Sequence, residues 1–267
     1  MSAGLPQGSW ALFVSDAAHR QACLTAVLRD GFVVLQGLPR EHGALLALAR
    51  SISFVRETLW GRFADISGRP EVADLACSGR AIPPCTAQAF RDPASTVHLL
   101  HCLCTAAEGG ETILVDGFNV ASVLRDENRD AFAILAATTV TFAYADAKAD
   151  LRATRPVIGL DPHGQVREIR YSDMSMQPVQ LPTAQIRAFY AAYRAFAEIA
   201  GRRELTLTLR LRPGECLIAD NTRILAGRTA FADTAQRRVQ VCWADIDGIA
   251  SSLALSLRPY RNGDIRR

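Results

Sequence analysis

Apolar residues in this chain fall in short runs separated by glycine, proline and polar breaks, and the runs carry two periods. Ala22, Leu24, Val27 and Leu28 recur at helical spacing after Asp16, a residue suited to capping a helix, and stop at Asp30-Gly31, where glycine can close it. Phe32-Val33-Val34-Leu35 then reads as a buried strand ended by Gly37 and Pro39. A short helix is expected over residues 43–52. Between Arg56 and Arg91, Gly61, Gly68, Pro70, Gly79, Pro83 and Pro84 interrupt every period, which predicts long loops of the kind that carry function.

Downstream, Val97-His98-Leu99-Leu100-His101-Cys102-Leu103-Cys104 is apolar on both alternating faces, as a strand covered on both sides should be. A strand over 112–115, a helix over 119–137 and a strand over 138–144 follow. The clearest helix spans 183–200, with Ile186, Phe189, Tyr190, Tyr193, Phe196 and Ile199 three and four apart and Gly201 closing it. Beyond it the pattern predicts only strands, at 205–211, 216–219 and 239–246, with a Pro213-Gly214 turn. Many short strands, two or three helices and long connections predict a mainly β chain with flanking helices (α+β), a jelly roll with the helices on one side, as a single domain over residues 1–267.

Composition narrows the partners. The 267 residues are 49% hydrophobic and carry 30 basic against 27 acidic side chains, a formal net charge of +3 with no basic block to track a phosphate backbone. No stretch is long and apolar enough to cross a membrane, and the first ten residues lack the basic and apolar segments of a signal peptide, so a cytoplasmic protein is expected. Cys23, Cys77, Cys85, Cys102, Cys104, Cys216 and Cys242 are odd in number and form no CxxC pair, which suits reduced thiols.

Several motifs recur together: Leu99-Leu100-His101-Cys102, Gly109-Gly110-Glu111-Thr112 with Val115-Asp116-Gly117-Phe118, Asp220-Asn221-Thr222-Arg223-Ile224-Leu225, and Arg237-Arg238-Val239-Gln240-Val241-Cys242-Trp243. Over roughly residues 20–260 this order resembles the catalytic domain of the γ-butyrobetaine and trimethyllysine hydroxylases, within the taurine dioxygenase-like iron(II)/2-oxoglutarate oxygenases. The resemblance implies a double-stranded β-helix, without the separate amino-terminal zinc-binding module of the eukaryotic relatives.

Such oxygenases hold iron with two histidines and a carboxylate. The family's His-Thr-Asp, placed by the downstream Phe90-Arg91-Asp92-Pro93, falls here on Cys85-Thr86-Ala87, and its second histidine falls on Ala226. With no donor at two of these positions, the expectation is no metal ligand set, iron unlikely, and no cofactor beyond 2-oxoglutarate or a similar organic acid. His98 and His101 are three apart on a strand and should face opposite sides, so they cannot chelate one ion; Cys102 and Cys104 share a face better suited to core packing.

The resemblance also places a carboxylate-binding arginine at Arg237, although a one-residue loop error would exchange it with Arg238. Thr112 matches a position that helps hold the cosubstrate. At the substrate end the family's aromatic positions fall on Trp60, Ala64, Cys77 and Trp243, which argues against a trimethylammonium ligand. Glu57, Asp74 and Tyr171 belong to the same substrate-facing group. Asp116, Asp220 and Asn221 read as turn-stabilising residues, and the Tyr190/Tyr193 face as core or a homodimer contact.

Three functions remain open. The leading one is metal-independent, non-oxidative chemistry of lyase, isomerase or cyclase type on a small carboxylate metabolite, with Cys85 as nucleophile or base. The alternatives are a pseudoenzyme that binds a small acid or a partner protein, and a 2-oxoglutarate-dependent oxygenase with atypical ligands.

Overall fold

The computed structural model describes residues 4–67, 75–106, 108–232 and 237–257. Two β-sheets face each other. The larger runs, in spatial order, Gln7–Ser9, Phe32–Gln36, Cys216–Asp220, Val97–Cys104 and Arg238–Ala244, and both Val55–Arg56 and Phe63–Ser67 pair with the last of these. The smaller runs Thr206–Leu209, Thr112–Asp116, Ile224–Arg228, Ile82–Cys85. Apart from Gln7–Ser9 on Phe32–Gln36, every pairing in these sheets is antiparallel. This is the expected double-stranded β-helix.

The strand pattern explains the layering. Phe32, Val34, Leu100, Cys102, Leu217, Val239 and Val241 point between the sheets, where they meet Leu114, Leu209 and Ile224. Their neighbours Val33, Leu35, Leu99, Cys216, Ile218 and Cys242 point the other way, under the helices Trp10–Ser15, Ala17–Asp30, Ala44–Ile52 and Ile246–Ser256. Each such aliphatic side chain contributes about 1.5–3 kcal/mol by leaving water. Asp16 caps its helix by accepting from the Ala18 and His19 N–H groups, and Gly31 closes it at φ +86°.

A second helical layer covers the smaller sheet's side. Gly117–Glu127, Arg129–Ala137 and Thr183–Ala200 pack with the Thr139–Ala145/Asp150–Pro156 hairpin around Phe132, Phe142, Phe189 and Phe196. There are thus seven α-helices among the described residues, on two sides of the barrel, rather than two or three on one side. The single helix expected over 119–137 is broken at Asn128, whose side chain leaves the helix to accept from the Ala131 N–H and start a new one.

The stretch beyond residue 200 also departs from the all-strand expectation. Its last strand ends at Ala244, and the Ile246–Ser256 helix follows. The start of that helix is fixed from a distance: Thr96 Oγ1 accepts from the Ile246 N–H, and the Ser53 hydroxyl donates to the Asp245 carbonyl. Asp245 stands at the N-cap, but its side chain makes no capping hydrogen bond.

Candidate functional site

Between the sheets lies a cavity of about 670 Å³. Cys85, Ala87, Thr112, Ala226, Arg237, Trp60 and Trp243 all line it. The positions that the resemblance singled out are therefore brought together. Cys85 and Ala226 are cross-strand partners.

The backbone around them is held firmly. Thr86 donates its hydroxyl to the Ile169 carbonyl and accepts from the Tyr171 N–H. Asn221, buried, accepts from the Ala87 N–H and donates to the Ala87 and Ser95 carbonyls. Arg170, also buried, donates to the Ala89 and Arg91 carbonyls while paired with Glu168. Asn221 was read as a turn residue; it is a brace under the Cys85–Ala87 segment.

Arg237 is the charged group of the site. It is 8% exposed and borders the cavity, its guanidinium 5.5 Å from the centre of the Phe231 ring. No carboxylate or carbonyl among the described residues takes its N–H groups, and burial lowers its pKa. Gly110 lies against it at φ +73°: a Cβ there would come within 3.2 Å of the Arg237 Nε. Gly109 is tighter still, since its Cβ would overlap the Ala230 carbonyl. The Gly-Gly pair therefore lets the loop pack beside the arginine. Thr112, two residues on and 4% exposed, turns to the cavity with no side-chain hydrogen bond of its own among the described residues.

Other expected site residues lie elsewhere. Arg238 points outward to Asp65 at 3.4 Å, and of the two arginines it is Arg237 that lines the cavity. Glu57 is solvent-exposed and pairs with Arg62 at 3.5 Å, because its loop turns it away from the barrel. Tyr171 is a core ring stacked on Tyr193 at 4.9 Å, its hydroxyl donating to Asp173. Asp74 lies outside the described residues. His98 and His101 do face opposite sides: His98 borders the cavity, and His101 is fully buried away from it. Asp116 caps the Gly117–Glu127 helix and pairs with Arg223 at 2.6 Å.

Sequence reading missed Arg228, Tyr144 and Phe90. Arg228 is buried at the cavity and donates to the carbonyls of Ala76, Ser78 and Arg80 at 2.6–2.9 Å, tying that loop to the barrel. Tyr144 stacks on Phe90 at 5.0 Å and meets Trp60 edge-on at 5.8 Å.

Burial, with Asp173 nearby, pushes the Cys85 thiol up to about 12, which favours the neutral form at pH 7 over the thiolate that a nucleophile needs. This counts against the leading expectation of metal-independent chemistry at Cys85.

The fold and cavity define a double-stranded β-helix of the oxygenase type. The family model for "Taurine catabolism dioxygenase TauD, TfdA family" matches residues 8–243, and the chain belongs to that family. It is 36% identical over 236 residues to the gamma-butyrobetaine dioxygenase of Pseudomonas sp. (strain AK-1), covering 88% of this chain and 62% of that one. It is 28% identical over 255 residues to the gamma-butyrobetaine dioxygenase of Homo sapiens, covering 92% and 65%. The chain thus spans about three fifths of the length of these relatives. Among solved structures it resembles an asparagine oxygenase in complex with Fe(II), 2S,3S-3-hydroxyasparagine and succinate, at a TM-score of 0.67 and 20% identity over 85% of this chain and 79% of that one. It also resembles PvcB, described as an Fe, alpha-ketoglutarate dependent oxygenase, at a TM-score of 0.62 and 16% identity over 85% and 81%. No helix among the described residues is long and apolar enough to cross a membrane.

These relatives overturn the expectation of no cofactor with iron unlikely. They are named as dioxygenases, and the asparagine oxygenase structure is a complex with Fe(II) and succinate. The donor set gives a mixed answer. Arg237 and Thr112 suit a carboxylate. At the metal positions, alanine offers no donor at residues 87 and 226 and Cys85 is held as a neutral thiol, and no three His, Cys, Asp or Glu side chains cluster among the described residues to hold a metal ion. The described residues do not fit a three-ligand iron site.

Proposed function

We propose that this TauD-family chain binds a small organic acid inside its barrel, a dicarboxylate of the 2-oxoglutarate type, with one carboxylate on the Arg237 guanidinium and the Thr112 hydroxyl. The observation that carries this reading is the buried, uncompensated charge of Arg237 at the cavity wall. Burying a guanidinium without an anion costs several kcal/mol, and a carboxylate recovers much of it through a two-pronged, charge-assisted pair. The arginine keeps its charge despite a lowered pKa. Phe231 backs the guanidinium at 5.5 Å and Gly110 leaves room for it, so the fork is held in place before any ligand arrives.

Isothermal titration of the purified protein with 2-oxoglutarate and succinate, against their dimethyl esters, tests this reading. Binding of the diacids with loss of at least tenfold for the esters supports it; equal binding, or none, rejects it. The same protein incubated aerobically with Fe(II) and 2-oxoglutarate and followed for succinate shows whether the bound acid is held or turned over.

A further inference from the structure

One ring on the cavity wall has an unpartnered nitrogen. His98 is a cross-strand partner of Trp243 and stacks on it, 4.4 Å between centroids and 11° between planes. Its Nδ1 is sealed off and has no hydrogen-bond partner among the described residues, while its ring borders the cavity. Burial pushes its pKa down to about 4, so at pH 7 the imidazole is neutral and carries a single N–H. A sealed N–H without an acceptor is rarer in folded proteins than an unfilled lone pair. A proton on Nε2 would avoid that cost and make His98 a neutral donor at the cavity.

The charges around it limit what can accept that donor. Two carboxylates among the described residues border the cavity. Asp65 accepts from Gln240 at 3.0 Å and Arg238 at 3.4 Å, and Asp146 accepts from the Tyr144 hydroxyl and two backbone N–H groups at 2.7–2.8 Å. Arg228 is engaged by three carbonyls. Among the described charged residues that line the cavity, Arg237 alone is uncompensated, and it lies six residues from Trp243 along one chain segment, about 20 Å if extended. A short diacid on Arg237 leaves the His98 end open.

We propose that the His98 end of the cavity is a subsite for an uncharged planar group bearing a hydrogen-bond acceptor, which His98 Nε2–H recognises and the Trp60, Tyr144 and Phe90 rings cover. The proposal rests on the reading of this cavity as the ligand site. It departs from a quaternary ammonium, which offers His98 no acceptor and finds no free carboxylate among the described residues of this wall, leaving the attraction of the rings.

The test is a tryptophan-fluorescence titration with benzamide and with phenyltrimethylammonium, each with and without saturating 2-oxoglutarate. Benzamide is expected to bind roughly tenfold more tightly than the cation. H98F, which keeps a ring but removes the donor, should weaken benzamide roughly five- to tenfold, and H98Q, which restores a donor, should recover most of it. Thermal melting of both variants checks that they fold. Nitrogen-15 shifts of His98 in the unmodified protein give a reading independent of any variant, with the Nε2–H tautomer expected at pH 7. Equal or tighter binding of the cation, benzamide affinity unchanged in H98F, or an imidazolium or Nδ1–H tautomer would overturn the proposal. Should 2-oxoglutarate fail to bind while benzamide behaves as described, only the acid reading falls; the reverse pattern removes only the His98 subsite.

Discussion

Cys85 and Ala226 sit opposite each other on the Ile82–Cys85 and Ile224–Arg228 strands, at the positions where the family resemblance expects two histidines. Ala87, two residues on, borders the same cavity with its backbone gripped on both sides by Asn221. Residues 85, 87 and 226 line one cavity, and their side chains are a thiol and two methyl groups. The variant C85H/A87D/A226H is expected to bind Co(II) roughly a hundredfold more tightly than the unmodified chain, read by the visible absorption of the bound ion. Equal affinities would mean that the three positions do not converge.

Asn221 makes three buried hydrogen bonds to the chain around Ala87 and Ser95. Replacing it by alanine leaves two carbonyls and an N–H without partners. N221A should lose about 2–4 kcal/mol in urea unfolding at an unchanged slope. A loss under 0.5 kcal/mol would show that the loop is held by other means.

Arg228 ties the carbonyls of Ala76, Ser78 and Arg80 to the barrel. R228M should speed amide hydrogen exchange in residues 76–80 by about tenfold while the Val97–Cys104 strand stays protected. Uniform acceleration would point to global destabilisation instead of a released loop.

Cys85 has a pKa raised from 9.0 to about 12 by burial. The neutral thiol is therefore the form that the fold favours. Its contribution to stability is complete below pH 9 and is lost as pH rises toward 12. C85A should flatten the fall in stability over that window. In the intact protein, iodoacetamide at pH 8 should modify the half-buried Cys77 and Cys104 well before Cys85, as followed by peptide mass spectrometry. Early labelling of Cys85 would show a thiolate and revive its candidacy as a nucleophile.

The parts legible in the sequence were those set by local chemistry or by a run of one polarity. Asp16 and Gly31 cap their helix as read, and the apolar runs at Phe32–Gln36 and Val97–Cys104 are central strands because both their faces are covered. The Ile246–Ser256 helix escaped because its start is fixed by Ser53 and Thr96, 192 and 150 residues away from the groups they bind. Arg237 and Arg238 could not be separated from pattern alone, since a period of two says which residues share a face but not which face is inside. Arg228 was overlooked because its partners are backbone carbonyls, which leave no complementary residue in the sequence. Glu57 and Tyr171 were assigned by family position; Glu57 lies exposed beside Arg62, and Tyr171 packs on Tyr193 in the core.

The claim that Arg237 takes the carboxylate of a small acid is tested most directly by titrating 2-oxoglutarate into the unmodified protein, R237Q and R238Q by calorimetry. R237Q should weaken binding by about thirtyfold or more, near 2 kcal/mol for a lost charge-assisted pair, while R238Q stays within about twofold of the unmodified protein. Unchanged affinity in R237Q, or the larger loss in R238Q, would contradict the account.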